Sequence, residues 1–423
     1  MEQLLYTLRR LIPRHLFKIL QPYYHYALAF LGAIRYGHPS RKLVLIAVTG
    51  TKGKSSTTEL IARILRADGK NVASLSTIQF MIGDEVERNL FKMTMPGRFF
   101  VQHFLARAVA AGCTHAVIEM TSEGAKQFRH RFLDIDALVF TNLTPEHIES
   151  HGSFENYKNA KLAIAARVAA SKKHPRYLVV NADDEHGVDF LKFPVERPLP
   201  YSLRDLSLYT LHKDGSSLVY GDVTLRVPLI GLFNIYNVLA AITLTRAMGV
   251  SLQTIDRALH DTPPIAGRVE RFTATTRDGR RVTAVVDYAH TPDSLEKLYQ
   301  AFKDVPKICV LGNTGGGRDT WKRPEMGAIA DRYCEAIILT NEDPYDEDPR
   351  KIVTEMEKGI PNKQKLEIIM DRRAAIAAAL ACCPDGGHVL VSGKGTDPYI
   401  MGPHNTKEPW SDATVVQQEL AHL

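Results

Sequence analysis

The sequence predicts an α/β protein with two mostly parallel sheets, each covered by helices. Short continuous apolar runs alternate with helical stretches from residue 43 onward, which is typical of parallel strands buried on both faces. A second series follows Thr-Pro-Pro at 262–264, where a helix cannot continue. We therefore expect a helical basic and aromatic segment over 1–40, a central domain over 41–264 and a C-terminal Rossmann-like domain over 265–423. The predicted strands are 43–48, 116–118, 137–140 and 177–180, then 282–286, 308–311, 336–339 and 389–391.

Length and charge limit the class of protein. The 423 residues suffice for two or three domains with real cores. The 53 basic residues are nearly balanced by 47 interspersed acidic ones, which leaves a net charge of +6, so the chain lacks the concentrated basic face of a nucleic-acid-binding protein. We expect no nucleic-acid partner and a local basic site for an anionic ligand.

The cysteines predict a reducing compartment. There are five, with no C-x-x-C pair, which argues against a disulfide framework and a zinc ribbon and fits the cytoplasm. Three of them lie in or beside apolar runs and are predicted to be core residues: Cys113, Cys309 and Cys334.

The N-terminal segment leaves two interpretations open. Basic residues between 9 and 18 alternate with apolar ones, and an aromatic-rich stretch follows over 23–34. That stretch is too short to span a bilayer, and no signal cleavage site is evident. The segment is either a pair of helices packed on the body, or an amphipathic contact of residues 1–38 with an anionic membrane surface.

A phosphate-binding loop follows the first predicted strand. The run 49–57 reads Thr-Gly-Thr-Lys-Gly-Lys-Ser-Ser-Thr and opens a helix, the layout of a P-loop, although Val48 replaces the first glycine of the general motif. Glycines let backbone N–H groups face inward, and the helix N-terminus favours phosphate. Lys54 would reach the β- and γ-phosphates, and Ser55 would ligate Mg²⁺. The predicted nucleotide-binding residues here are Gly50, Thr51, Lys52, Gly53, Lys54, Ser55 and Ser56.

Polar residues also end the next strands. Glu119 ends one of them, and Asn142 and His147 follow another. Ligands bind beyond the carboxyl ends of strands in open parallel sheets. Glu119, His147 and the phosphate loop are therefore expected to converge and hold Mg²⁺ beside ATP.

The strings Glu-Met-Thr-Ser at 119–122, Thr-Asn-Leu at 141–143, His-Gly at 151–152 and Tyr-Lys-Asn-Ala-Lys at 157–161 resemble the central domain of Mur ligases. The phosphate loop resembles that family's variant, which also lacks the early glycine. The resemblance implies Mg²⁺ ligands at Ser55, Glu119, His147 and Lys161, with Lys161 carrying a carbamate. It also implies catalytic roles for Lys54, Lys161, His147 and Arg268, and acceptor contacts by Thr121, Ser122 and His151.

Motifs further along resemble the MurE branch of that family. They are Gly-Leu-Phe-Asn-Ile-Tyr-Asn at 231–237, Gly-Arg-Val-Glu at 267–270, Val-Asp-Tyr-Ala-His-Thr-Pro at 286–292 and the glycine-rich run 312–319. The resemblance implies that Asn237 faces adenine, that Arg268 approaches the phosphates and that Asp287 approaches the ribose. The implied contacts to the amino acid are Arg318, Glu342, Asp343, Tyr345, Gly393 and Asp397.

Three features depart from that branch. With the phosphate loop near residue 50, the UDP-binding domain that usually precedes it is not expected, which puts a UDP-linked acceptor in doubt. Glu-Asp-Pro-Tyr at 342–345 replaces the Asp-Asn-Pro-Arg of diaminopimelate-adding members. Because no arginine is available there to bind a second carboxylate, diaminopimelate is disfavoured as the added amino acid. Gly-Lys-Gly-Thr-Asp at 393–397 replaces Gly-Lys-Gly-His-Glu.

The expected function is ATP-dependent joining of an amino acid to a muramyl-peptide-like carboxylate through an acyl phosphate, in peptidoglycan precursor synthesis. We expect a cytoplasmic monomer that uses ATP, two Mg²⁺ ions and N6-carboxylysine at Lys161. Two alternatives stay open. One is a glutamate ligase like folylpolyglutamate synthetase; the other is a P-loop ATPase that acts as a switch or scaffold without ligation.

Overall fold

A computed structural model describes residues 14–146, 148–317 and 319–423, with side chains described from residue 20 onward. His147 and Arg318, both predicted site residues, lie outside the described residues. The helices are α1 Arg14–Arg35, α2 Lys54–Ala67, α3 Arg98–Ala110, α4 Ser122–Lys126, α5 Ile148–His151, α6 Phe154–Ala169, α7 Gly187–Leu191, α8 Leu232–Ala247, α9 Leu252–His260, α10 Pro292–Ala301, α11 Lys322–Tyr333, α12 Pro349–Glu357, α13 Arg372–Cys382 and α14 Asp412–His422.

The strands are β1 Val44–Thr49, β2 Val72–Leu75, β3 Gln79–Ile82, β4 Glu85–Arg88, β5 His115–Glu119, β6 Ala137–Phe140, β7 Tyr177–Asn181, β8 Arg197–Tyr201, β9 Leu206–Leu211, β10 Ser216–Tyr220, β11 Val223–Val227, β12 Glu270–Thr275, β13 Arg281–Asp287, β14 Lys307–Leu311, β15 Ala336–Leu339, β16 Leu366–Ile368, β17 His388–Ser392, β18 Tyr399–Met401 and β19 Lys407–Pro409. All eight strands predicted from apolar runs are present.

The first sheet has the order β4-β3-β2-β5-β1-β6-β7-β8; β3 pairs antiparallel with both β2 and β4, and the other pairs are parallel. Alternate residues of β1 enter different cores: Ile46 and Val48 pack with α2 and α8, whereas Leu45 and Ala47 pack with α3 and α6. Both faces are therefore buried, which explains why the strand reads as a continuous apolar run. The carboxyl ends of β1, β5 and β6 meet at one edge.

The second large sheet has the order β12-β13-β17-β14-β15-β16, with β12 antiparallel to an otherwise parallel set. A small antiparallel sheet, β11-β10-β9, and a hairpin of β18 and β19 complete the pairing given for the described residues. The predicted α/β class, with mostly parallel sheets in two regions, is confirmed.

The cysteine prediction needs one correction. Cys309, Cys334 and Cys113 are buried as expected, but Cys309 and Cys334 form a disulfide, with their Cα atoms 6.1 Å apart. The reason is tertiary: Cys309 lies in β14 and Cys334 lies just before the neighbouring strand β15, so residues with a sequence separation of 25 become adjacent.

Helix α1 packs on α3 through one side only. Ala29 and Ala33 are buried, and a Cβ on Gly32 would lie 3.7 Å from Arg98 O of α3. The opposite side exposes large apolar residues, among them Tyr23 and Leu31. Among the helices described, none combines the length and apolar character needed to cross a bilayer.

Candidate active site

The phosphate loop connects β1 to α2 through two glycines at which a side chain would be strained and crowded. Gly53, with φ of 83°, directly precedes α2, and its Cβ would lie 2.2 Å from Asn237 Oδ1. A Cβ on Gly50, with φ of 152°, would lie 1.9 Å from Thr141 Oγ1. The glycines are therefore required both for backbone conformation and for space.

The segment after β6 fixes the shape of this loop. Thr51 N donates to Asn142 O at 2.8 Å, and Lys52 N donates to Asn142 Oδ1 at 2.9 Å. Thr144 N donates in turn to Thr51 Oγ1 at 3.0 Å. The loop is thus held open at the N-terminus of α2, where a helix favours phosphate.

Glu119, at the end of β5, lies beside the loop as predicted. Its Oε2 accepts from Ser55 Oγ at 2.9 Å and from Thr77 N at 2.9 Å, and its Oε1 lies 3.9 Å from Lys54 Nζ. Burial lowers the pKa of Lys54, while the negative charge of Glu119 opposes that shift. A hydroxyl, a carboxylate and an ammonium, the groups expected of a site for a nucleotide and Mg²⁺, therefore lie within contact distance of one another.

Lys161, on α6, is enclosed next to the same loop. The residue is 1% exposed, and its Nζ donates to Gly50 O at 2.6 Å and lies 4.8 Å from the centroid of the Tyr157 ring. Burial lowers the pKa of Lys161 well below its ordinary value, and the positive charge of Lys54 lowers it further. Its amine is therefore biased toward the neutral form.

Two of the predicted Mg²⁺ ligands are in contact with each other. The Ser55 hydroxyl and Glu119 carboxylate offer the oxygen donors that Mg²⁺ prefers, which fits the predicted metal site. Within the described residues, which omit His147, no group of three or more His, Cys, Asp or Glu side chains is placed to hold a metal ion.

Arg268 reaches the phosphate loop from the other half of the chain. Its Nη2 donates to Ser55 Oγ at 3.4 Å, and its guanidinium lies 4.7 Å from the centroid of the Tyr288 ring. Asp287 accepts from Val269 N and Ala289 N, each at 2.8 Å, and so shapes the turn that carries Arg268. The ribose contact expected of Asp287 stays a prediction.

A second bridge between the halves was missed from the sequence. Glu146 Oε1 accepts from Lys52 Nζ at 3.1 Å and lies 3.0 Å from His290 Nε2. Burial lowers the pKa of His290 to about 4, with a further contribution from Lys52. The only available signal was that Glu146 adjoins His147, and it did not indicate a partner 144 residues away.

Asn237 packs against the loop rather than standing open to it. Its Oδ1 accepts from Thr57 Oγ1 at 3.3 Å, and its Nδ2 donates to Asn234 Oδ1 at 3.0 Å. The residue is 4% exposed. These contacts fix α8 against the phosphate loop, and the adenine contact stays a prediction.

The predicted acceptor residues follow β5 or lie near Tyr157, which contacts the phosphate loop. Thr121 caps α4 by accepting from Gly124 N at 3.0 Å, and Ser122 is buried beside it. His151 Nε2 lies 3.3 Å from Glu123 Oε1, and its ring centroid is 5.4 Å from that of Tyr157. Tyr157 in turn pairs with Thr51 Oγ1 at 3.0 Å, so this group borders the loop.

The predicted amino-acid residues of the C-terminal half also converge. Asp343 Oδ1 accepts from Lys394 Nζ at 2.9 Å and from Met401 N at 2.8 Å. Asp397 Oδ2 lies 3.4 Å from Lys394 Nζ and 3.2 Å from Lys92 Nζ. Lys92 comes from the other half and also pairs with Asp343. Sequence reasoning found the two aspartates but missed both lysines.

Glu342 differs from these aspartates. Its Oε1 accepts from Thr314 Oγ1 at 3.0 Å, but its Oε2 has no hydrogen-bond partner within the described part of the chain, and the residue is 2% exposed. A Cβ on Gly393 would lie 2.1 Å from this oxygen. Gly393 is thus required to make room for a buried carboxylate.

Comparison with known families matches both halves. Residues 48–245 match the Mur ligase middle domain, and residues 267–395 match the Mur ligase, glutamate ligase domain. The UDP-N-acetylmuramoyl-L-alanyl-D-glutamate–2,6-diaminopimelate ligase of Geobacillus kaustophilus is 34% identical over 89% of this chain and 79% of its own length. The UDP-N-acetylmuramyl-tripeptide synthetase of Roseiflexus sp. is 36% identical over 94% of this chain and 82% of its own length.

Solved structures of two ligases superpose on this chain. A diaminopimelate ligase structure superposes with a TM-score of 0.60 and 28% identity, covering 90% of this chain and 78% of that one. Mycobacterium tuberculosis folylpolyglutamate synthase gives a TM-score of 0.70 at 16% identity, covering 88% and 93%, and therefore shows a shared fold alone. The chain belongs to the Mur ligase family, in which its relatives are of the MurE type, and it is an ATP-dependent acid–amino-acid ligase.

Proposed function

We propose that this ligase adds an amino acid to the free carboxylate of a muramyl peptide during peptidoglycan precursor synthesis in the cytoplasm. The observation that carries the proposal is the 3.4 Å contact between Arg268 Nη2 and Ser55 Oγ, which completes the phosphate site from the second half of the chain. A site that is complete only when the halves meet suits a reaction whose intermediate must be kept from water.

The chemistry has two steps. An acceptor carboxylate oxygen attacks the γ-phosphorus of ATP, and ADP leaves as the acyl phosphate forms. The amine of the amino acid then attacks the carbonyl carbon, phosphate leaves and the amine loses a proton. Lys54 and Arg268 stabilise the charge on the transferred phosphoryl group, since such catalysis is mainly positioning and electrostatics. Mg²⁺, for which Ser55 and Glu119 supply oxygen donors, would neutralise further phosphate charge.

We infer that Lys161 carries a carbamate. Only a neutral amine reacts with CO₂, and burial beside Lys54 favours that form. The product would exchange a buried amine for a carboxylate-like group near two cationic lysines and the phosphate loop. A proton is released when the carbamate forms, and the resulting anion is suited to a second Mg²⁺.

The test is an ADP-release assay with an amino-acid panel. The acceptors are UDP-N-acetylmuramoyl-L-alanyl-D-glutamate, the compound in the relatives' names, and a lipid-linked muramyl dipeptide. We expect ADP release that requires both an acceptor and an amino acid. Steady hydrolysis without either would instead indicate an ATPase switch, and activity only with a folate and glutamate would indicate the folylpolyglutamate alternative.

We also propose that α1 contacts an anionic membrane surface. Its outer side exposes Leu20, Tyr23, Leu31 and Ile34, and the helix contains no acidic residue. Apolar and aromatic side chains with nearby arginines suit the interface of an anionic bilayer. Flotation with phosphatidylglycerol vesicles should recover the wild type, and a Leu31→Ser/Ile34→Ser double variant should float less. Equal recovery of both proteins, or equal binding to phosphatidylcholine, would contradict this contact.

A further inference from the structure

Five charged side chains form a cluster where the two halves of the chain meet. We call this cluster the amino-acid subsite, and its members are Lys92, Glu342, Asp343, Lys394 and Asp397. Lys92 belongs to the loop between β4 and α3, whereas the other four follow strands of the C-terminal sheet. The carboxylates of Asp343 and Asp397 are each shared by both lysines. Asp343 and Asp397 are thus already neutralised by protein cations.

Lys92 is the lysine of this cluster that can still meet a ligand. Its side chain is 17% exposed, against 0% for Lys394, which donates in addition to Tyr399 O at 2.6 Å. An ammonium has three N–H groups, and the ion pairs of Lys92 with the two aspartates use two of them. Those pairs raise the pKa of Lys92, so the side chain stays charged. One N–H of a fixed cation therefore remains for an anion.

Glu342 supplies the opposite charge. Its buried Oε2, without a hydrogen-bond partner in the described residues, would be costly unless a donor reaches it. Burial raises the pKa of Glu342, and the positive charges of Arg372 and Lys394 lower it. A cation with a free N–H and a carboxylate with an unpaired oxygen in one charge cluster match a molecule that carries both an ammonium and a carboxylate.

The loop that holds Lys92 is fixed by side-chain hydrogen bonds. Lys92 has φ of 53°, which costs energy for a residue with a side chain, and Asn89 spans the loop by donating to Ser76 O at 3.0 Å and Met93 O at 3.1 Å. Thr94 Oγ1 pairs with Thr77 Oγ1 at 2.8 Å, and Thr77 Oγ1 donates to Glu119 at 3.1 Å. The loop therefore connects Lys92 of the amino-acid subsite to Glu119, which lies beside the phosphate loop.

We propose that Lys92 is a specificity-determining residue that binds a carboxylate of the incoming amino acid, while Glu342 receives one of its ammonium groups. This rests on the proposed ligase function. The carboxylate is either the α-carboxylate or one at the far end of the side chain, next to Tyr345, whose ring centroid lies 5.8 Å from Lys92 Nζ. In the second case Lys92 supplies the cation that residue 345 lacks, and a dicarboxylic amino acid becomes the preferred substrate.

The experiment measures KM for meso-diaminopimelate and for L-lysine, which has the same two amines but one carboxylate. Lys92→Met should raise the amino-acid KM about tenfold or more, as expected for loss of a charge-assisted contact, and Lys92→Arg should recover most of it. The KM values for ATP and acceptor should stay within about twofold, because their sites keep all their contacts. An effect on meso-diaminopimelate alone assigns the side-chain carboxylate, and an equal effect on both assigns the α-carboxylate.

Arg88→Ala is the matched control. Arg88 Nη2 donates to Thr396 O at 3.3 Å, so this variant removes another contact between the same loop region and the C-terminal half without removing the cation of the subsite. Its amino-acid KM should equal that of the wild type. Parallel rises of all three KM values in Lys92→Met, or no change in the amino-acid KM, would overturn the proposal.

Calorimetric titration of both amino acids, with ADP present, separates this proposal from the ligase function. Wild-type binding that Lys92→Met weakens supports the carboxylate contact even if turnover fails. A wild type that neither binds nor ligates the amino acids overturns both proposals.

Discussion

The phosphate loop and the amino-acid subsite are connected through Thr77 and Thr94 but are built in opposite ways. The loop is a single run of sequence whose glycines, lysine and serine are all neighbours, and its shape depends on backbone groups. The amino-acid subsite takes side chains from three separate segments and depends on charges that balance one another. A site made from one run of sequence can be predicted from residue spacing. A site made from opposite charges of separate segments can be recognised only in the folded structure.

The largest expected effect concerns Lys161, the buried lysine beside the phosphate loop. Lys161→Ala should lower turnover about 1,000-fold, because it removes the group proposed to carry negative charge to the metal. Short carboxylates added to the assay should restore part of the activity. Lys158→Ala, on the same helix but paired with Glu155 and Asp189, is the control and should remain active. Full activity of Lys161→Ala would eliminate the carbamate.

A pair of glycines tests whether the loop depends on shape. Gly53→Ala places a Cβ 2.2 Å from Asn237 Oδ1, so kcat/KM for ATP should fall about 100-fold, equivalent to roughly 3 kcal/mol of strain and displacement. Gly69→Ala has a similar backbone, with φ of 78°, but meets nothing within 4 Å. It should lower the free energy of unfolding by about 1–2 kcal/mol and leave ATP kinetics unchanged. Similar ATP kinetics in both variants would contradict this account.

The Glu146–His290 bridge between the two halves of the chain should be sensitive to acid. Unfolded His290 takes up a proton near 6.5, but the folded protein does so only near about 4, because burial disfavours the imidazolium. Between these values the unfolded chain binds more protons, so stability falls as pH decreases, by about 2 kcal/mol from this group. Denaturant titrations at pH 7 and pH 4.5 should show a smaller loss in His290→Gln. The exposed His404→Gln should lose as much as the wild type.

The smallest expected effect lies on the connection between the regions. Thr77→Val removes the hydroxyl that links Thr94 to Glu119 and should raise the KM for both ATP and the amino acid about fivefold, near 1 kcal/mol. Thr77→Ser keeps the hydroxyl and should behave as the wild type. If Thr77→Val changed only one of the two KM values, the regions would be independent.

Much of the fold could be predicted because apolar runs report burial directly. Each predicted strand is one whose two faces are covered, as Ile46 and Ala47 on β1 illustrate by entering different cores. Among the strands that were not predicted, β4 is exposed and β9 is exposed beyond its first residue, whereas β2 is buried. The disulfide of Cys309 with Cys334 could not be predicted, because it depends on which strands become neighbours.

The site residues likewise fall into those that the sequence predicted and those that it did not. The loop, Glu119 and Lys161 were predicted from motifs, but the Glu146–His290 bridge and Lys92 were not, since neither belongs to a pattern of its own. Asp343 and Asp397 were predicted to contact the amino acid, yet the lysines that occupy their oxygens were absent from that prediction. Residues without a motif acquire a role only from the charges placed beside them.

By itself the sequence determined the phosphate-binding chemistry, the α/β class and the family, because these depend on local spacing and on periodic burial. Tertiary structure decided that Lys161 is enclosed and biased toward neutrality, that Arg268 reaches Ser55, and that Lys92 stands between two aspartates of the other half. Each of these depends on the distance between segments far apart in the chain, and electrostatic energy depends on that distance and on burial, neither of which a linear pattern records.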